Sequence, residues 1–132
     1  MGSVQREIVI DAPADTVWGI VGDFVAGPPH MAGGALVESK LVEPDVRALA
    51  FADGTVVRER LVARDESARR IAYAWVGDDV AHDNTSMQVF ADGRARCRLV
   101  WIHDTLPDEL TNWLATTMDR MSPVLQQTLR SA

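Results

Sequence analysis

The sequence predicts an α+β fold in which a curved antiparallel sheet of seven strands wraps around one long C-terminal helix. Three observations predict it. First, from Leu106 to Arg130 the residues Leu110, Leu114, Met118, Met121, Leu125 and Leu129 recur at three- and four-residue steps, with Trp113 beside them. That spacing is one apolar stripe of an amphipathic helix. Second, from Leu36 onward six segments read as strands, and the turns between them are too short for crossover connections, so they form a meander. Third, a further strand and a short helix come first, and the long helix has no apolar partner of its own except the sheet.

The totals narrow the classes of function. At 132 residues, 47% hydrophobic and 24% charged, the chain is expected to fold as a single domain over 1–132 with a sizeable core. No apolar run approaches the ~18 residues of a membrane span. Met1-Gly-Ser-Val-Gln-Arg6 lacks the apolar centre of a signal peptide, so cytoplasmic residence is the expectation. A single cysteine, Cys97, leaves no intramolecular disulfide and no cysteine-cluster metal site. The net charge of -6 argues against nucleic acid or an anionic membrane as partner. A homodimer is compatible with the sequence, which does not set the oligomeric state.

Taken in order, Arg6–Ile10 is a short strand of β-branched residues. Asp11-Ala-Pro-Ala-Asp-Thr16 breaks it and opens a helix, with Pro13 suited to the first turn and an acidic residue to its positive end. Val17, Trp18, Ile20, Val21 and Phe24 form the buried side of that helix, which should end near Asp23–Val25. Ala26 to Ala35 is rich in breakers and reads as a loop with one short helical turn around His30. The strands are Leu36–Val42, Val46–Phe51, Thr55–Arg64, Arg70–Val76, Thr85–Phe90 and Ala95–His103.

Phe51-Ala-Asp-Gly-Thr55 and Phe90-Ala-Asp-Gly-Arg94 repeat one phrase, and both fit a three-residue hairpin loop with Gly in the left-handed region. The first then places Leu49 opposite Val57 and Arg47 opposite Glu59. The second places Met87 opposite Cys97 and Thr85 opposite Leu99. The inward faces become Arg47, Leu49 and Phe51; Val57, Glu59 and Leu61; Ile71, Tyr73 and Trp75; Thr85, Met87 and Val89; and Cys97, Leu99, Trp101 and His103. Arginines at 58, 60, 64, 94, 96 and 98 face outward, the alternation of a sheet with one wet side.

Several stretches carry a family resemblance. They are Ile10-Asp-Ala-Pro-Ala-Asp-Thr-Val-Trp18 through Asp23-Phe24, Val46-Arg47, Asp53-Gly54 with Arg58-Glu-Arg-Leu61, Tyr73, Cys97 to Trp101 and the closing helix. Over essentially its whole length the chain resembles the START/Bet v1-like (SRPBCC) helix-grip superfamily, and within it the bacterial polyketide cyclase/dehydrase-type proteins. Where such proteins often have Trp-His-Pro after the first helix, this chain has Pro28-Pro29-His30-Met31. The glycine-rich loop of the plant Bet v1 proteins is replaced by Glu43-Pro44-Asp45, so no phosphate-cradling role carries over. The resemblance implies a cofactor-independent enzyme that encloses a hydrophobic, polyoxygenated molecule and promotes aldol-type cyclisation and dehydration. The alternative is a non-catalytic carrier of a lipid or apolar metabolite, since one fold serves many functions.

Individual residues are weighed against ordinary structural roles. His103 ends the last strand facing inward, where a histidine can move a proton or simply bond a carbonyl. Arg47 and Glu59 can polarise a ketone between them, or form a structural ion pair across the hairpin. Tyr73 can donate to a carbonyl and stabilise an enolate, or serve as a core tyrosine. Asp104 is the natural carboxylate to orient His103, and Thr105 to Asp108 fits a capping box for the long helix. Leu49, Trp75, Met87, Trp101, Trp113, Met118 and Met121 form the expected ligand surface or plain core. His30 lies on the loop over one mouth and touches ligand or faces water. His30, His82 and His103 are too scattered to argue a metal.

Overall fold

The computed structural model describes residues 2–130; Met1, Ser131 and Ala132, which the expected domain includes, lie outside the described residues. The elements in chain order are β1 (Gly2–Ile10), α1 (Ala14–Val21), α2 (Gly27–Met31), β2 (Leu36–Glu43), β3 (Val46–Phe51), β4 (Val56–Asp65), β5 (Arg70–Trp75), β6 (His82–Ala91), β7 (Cys97–Leu106) and α3 (Leu110–Arg130). The strands form one antiparallel sheet in the order β1-β7-β6-β5-β4-β3-β2. This is the expected helix-grip arrangement, with the two helices α1 and α2 inserted between the sheet's edge strands. The pairing is irregular at Leu36/Glu38 and Leu41/Glu43 in β2 and at Leu61/Ala63 in β4, and bulges of this kind bend and twist a strand locally. No helix among the described residues is long and apolar enough to cross a membrane.

Alternation explains β1, where Val4, Ile8 and Ile10 are buried between exposed Ser3, Gln5 and Val9. In α1, Val17, Trp18 and Val21 are buried, and the helix stops at Gly22, earlier than the apolar pattern suggests. Position 22 requires a glycine for a packing reason: a Cβ there would meet the Trp18 ring at 2.7 Å. The Trp18 indole donates to Glu66 Oε1 at 2.9 Å, and Arg64 Nε donates to the Gly22 carbonyl at 2.7 Å. Together they tie the end of α1 to β4.

The first hairpin has the expected register, with Arg47 opposite Glu59 and Leu49 opposite Val57, and Gly54 in the left-handed region at φ 94°. The second hairpin does not. Met87 faces Trp101, Thr85 faces His103, and Cys97 faces Ala91, not Met87. The physical difference lies in the residues just after the shared phrase. Thr55-Val56 are strand formers, whereas Arg94-Ala95-Arg96 are not, and a loop of the same length sits two residues further along: the Asp92 amide bonds the Arg96 carbonyl at 2.9 Å, where in the first hairpin the Phe51 amide bonds that of Thr55 at 2.8 Å. The displacement along the partner strand is an even number of residues, so every side chain stays on its expected face.

At the other end of β7 the strand runs on through Leu106, and α3 begins at Leu110, not Leu106. Thr105 is fully buried on β7 and donates its hydroxyl to the His82 carbonyl at 3.2 Å, so it is a strand residue and not a helix cap. The first amides of α3 bond to the Pro107 and Asp108 carbonyls instead.

The core is divided. A large cluster joins α1 and the far ends of β1, β6 and β7 to Leu125 and Leu129 of α3. A small one joins Val4 to Leu114 and Met118 near the start of α3. Each fully buried leucine of this kind contributes roughly 1.5–3 kcal/mol of transfer free energy. Between the two clusters, at Thr117 and Met121, the helix is not fully packed against the sheet.

Candidate functional site

That gap is a cavity of about 200 Å³ lined by Arg47, Leu49, Glu59, Tyr73, Met87 and Trp101 from the sheet. Thr117, Met121 and Leu125 of α3, with residues of α2 and Leu36, close it from the other side. It meets a larger hollow of about 380 Å³ at three shared residues, Ala32, Thr117 and Met121, beyond which lie Phe51 to Asp53 and Arg120.

Arg47 is the anchor of the inner cavity. Only 3% of it is exposed, and register alone turns it inward. Its Nε and Nη2 both donate to Glu59 Oε1, at 3.0 and 2.7 Å, and Nη1 donates to the Phe24 carbonyl at 2.6 Å. The guanidinium lies 4.3 Å from the centroids of both the Phe24 and the Tyr73 rings. A guanidinium pinned by an acid, a carbonyl and two aromatic faces is fixed in position and permanently charged. Burial pushes the Glu59 carboxyl up, with Arg47 opposing that shift and Asp83 adding to it. Burial, then the Glu59 charge, pushes the Tyr73 phenol up to about 12, so it is a neutral donor at physiological pH. The Trp101 indole N–H is buried without a partner.

The expected histidine site lies elsewhere. His103 Nε2 is 2.5 Å from Asp83 Oδ1, so its carboxylate partner is Asp83 and not Asp104. The correction follows from β6 beginning at His82: Asp83 then shares the inward face of Thr85, while Asp104 alternates away from His103. Extending the Thr85, Met87, Val89 alternation back by one inward position would have found Asp83. His103 does not line the inner cavity; Glu59, which does, is close enough for Asp83 and His103 to act on its carboxyl in opposite directions.

The other expected residues separate in the same way. Leu49, Met87, Trp101 and Met121 line the inner cavity. Met118 is 1% exposed within the smaller core cluster, so it packs and does not line. His30 is exposed on α2, although its neighbours Pro28 and Met31 line the cavity. Trp75 and Trp113 line a different hollow at the start of α3, with Asp79, Val80, Asp83, Leu110 and Leu114. Trp113 is 63% exposed, off the buried stripe it was expected to join. Thr117, which the apolar pattern does not single out, is one turn before Met121, a spacing the helix contains. Among the described residues no group of three or more His, Cys, Asp or Glu is placed to hold a metal ion.

Comparison with known proteins places this geometry. Residues 1–131 match the family model described as polyketide cyclase/dehydrase and lipid transport. XoxI from Bacillus cereus superposes with a TM-score of 0.83 at 23% identity, over 98% of this chain and 96% of that one. A START superfamily protein from Mycobacterium smegmatis gives 0.81 at 15% identity, over 99% of each chain. The Zhui aromatase/cyclase from Streptomyces sp. R1128 gives 0.77 at 21% identity, over 98% of this chain and 91% of that one. At these identities the structures show a shared fold. No curated protein matches.

Proposed function

Because the chain belongs to the polyketide cyclase/dehydrase and lipid transport family, we propose that it takes an apolar, carbonyl-bearing small molecule into the cavity under α3 and promotes its cyclisation and dehydration. The observation that carries this reading is the Arg47–Tyr73 pair on one cavity wall, a fixed cation stacked on a phenol that stays protonated. Both groups donate to oxygen. Aldol-type ring closure needs a ketone polarised toward attack and an enolate oxygen stabilised, which donors in a water-poor site accomplish. In this scheme Arg47 and Tyr73 hold the carbonyl oxygens, and Glu59 holds the guanidinium in place. The Trp101 N–H offers a third donor, and Leu49, Met87 and Met121 fold the apolar part of the substrate. His103 moves protons from behind Glu59, with Asp83 orienting its ring.

A specific observation favours a second reading, non-catalytic carriage of an apolar ligand. The group best suited to proton transfer, His103, does not line the cavity that holds Arg47 and Tyr73. One experiment separates the two readings. The protein is incubated with a synthetic linear poly-β-ketone thioester, and binding and product formation are followed in the parent, Tyr73→Phe and His103→Ala chains. Turnover in the parent that falls at least tenfold in both variants with binding retained supports catalysis. Binding without turnover in the parent assigns the carrier role, and no binding removes both. Cytoplasmic residence and the absence of a cofactor belong to the same proposal.

A further inference from the structure

The geometry points to a second ligand site, separate from the cavity under α3, that takes a small organic cation with an apolar body. It is the hollow of about 370 Å³ between the β5–β6 connection and the first turns of α3. That volume falls within the range of roughly 300–1,000 Å³ in which small-molecule sites lie. Its lining shares no residue with the inner cavity: Asp83 belongs to this hollow and Glu59 to the other.

The lining defines the ligand. Val80, Leu110 and Leu114 supply apolar wall, and Trp75 and Trp113 supply two indoles. Trp113 leaves 63% of its surface in water, a large apolar group held at the rim of a concave site. The charged side chains in the lining are Asp79 and Asp83, and no Arg, Lys or His is among the lining residues. Carboxylates with aromatic faces attract organic cations through both the charge and the ring quadrupole. An anion is disfavoured twice, by those carboxylates and because the first amides of α3 already bond to Pro107 and Asp108 carbonyls. The positive end of α3 opposes a cation, but Asp108 and Glu109 immediately precede that end. Asp83 has its Oδ1 against His103, which leaves Asp79 as the carboxylate at the rim for the ligand to meet first.

Calorimetric titration of the full chain tests the site with benzyltrimethylammonium, neutral benzyl alcohol and anionic phenylacetate. The cation is expected to bind about tenfold more tightly than either control, the ratio that cation–aromatic and charge attraction of this size produces. Trp113→Ala and Asp79→Asn, both on exposed positions whose loss leaves the core intact, should each weaken it by about three- to tenfold. Met121→Trp, which obstructs the other cavity, should leave cation binding unchanged. Equal affinities for the three probes, no measurable cation binding, or a loss produced by Met121→Trp and not by Trp113→Ala would each overturn the assignment.

Discussion

Tyr73 is the one tyrosine in the chain, so its ionisation can be read directly by tyrosinate absorbance. Its phenol is pushed from 10.0 up to about 12, first by burial and then by Glu59. A phenol whose folded pKa lies above its unfolded value contributes stability that is intact below pH 10 and is lost as pH rises through the folded value. Over the two pH units this loss is about 3 kcal/mol. The expected outcome is a single absorbance transition near the raised value and a fall in urea stability between pH 10 and 12 that Tyr73→Phe abolishes. A transition at the ordinary phenol value would contradict the buried placement. Arg47 permits a companion test. Arg47→Met leaves Glu59 facing apolar surroundings without its cation, a change that costs about 3–5 kcal/mol in buried pairs. Because burial already raises the Glu59 carboxyl, the variant should regain stability as pH falls and the acid protonates. Equilibrium unfolding at pH 4.5 and 7.5 checks this, and an equal loss at both would place Glu59 in water.

At the level of elements, alternation and turn chemistry were legible, and pairing partners less so. The β3–β4 hairpin could be read to the residue because Asp53 and Gly54 are followed at once by Thr55-Val56, and the Thr55 amide bonds to Asp53 Oδ1 at 2.9 Å. The β6–β7 hairpin could not, because a loop of the same length sits two residues further along the shared phrase Phe-Ala-Asp-Gly, and strand periodicity is indifferent to an even slide. The face of each strand survives such a slide; the neighbour across it does not. Asp83 escaped notice for the same kind of reason: Asp78 to Asn84 is polar by composition, and only pairing with Thr105 shows it to be strand. The register has a direct chemical test. Ala91 faces Cys97, and the neighbouring Asp92-to-Arg96 amide bond makes that pair the closely spaced, non-hydrogen-bonded kind. Ala91→Cys should therefore form a disulfide with Cys97 under mild oxidation, seen as a loss of about two mass units and a cross-linked peptide. Met87→Cys should not, and cross-linking there in place of Ala91 would restore the register expected from the sequence.

At the scale of the whole molecule, the division of the core decides what α3 is for. Leu125 and Leu129 anchor its C-terminal half and Leu114 and Met118 its first half, so the helix is held at two places and spans a gap between them. A protein selected only for stability would fill that gap, since unfilled apolar space costs roughly 24 cal/mol per Å³. Here its lining includes Arg47 and Glu59, which are costly to bury, and an indole N–H without a partner. The general grip of sheet on helix was legible from two periodicities, but the gap was not: nothing in the apolar stripe distinguishes Met118, which packs, from Met121, which lines. Thr117 is where function and stability should oppose each other, because it lines both the inner cavity and the hollow that adjoins it. Thr117→Leu adds apolar volume on a helix and replaces a β-branched residue of lower helix propensity. The substitution is expected to raise stability by about 0.5–2 kcal/mol, as cavity-filling changes do, and to raise the melting temperature by a few degrees. It should at the same time weaken binding of the linear poly-β-ketone thioester at least tenfold. Thermal unfolding and calorimetry on the same preparation read both effects. A variant that gains stability and keeps its ligand would show that the gap is not where the ligand sits.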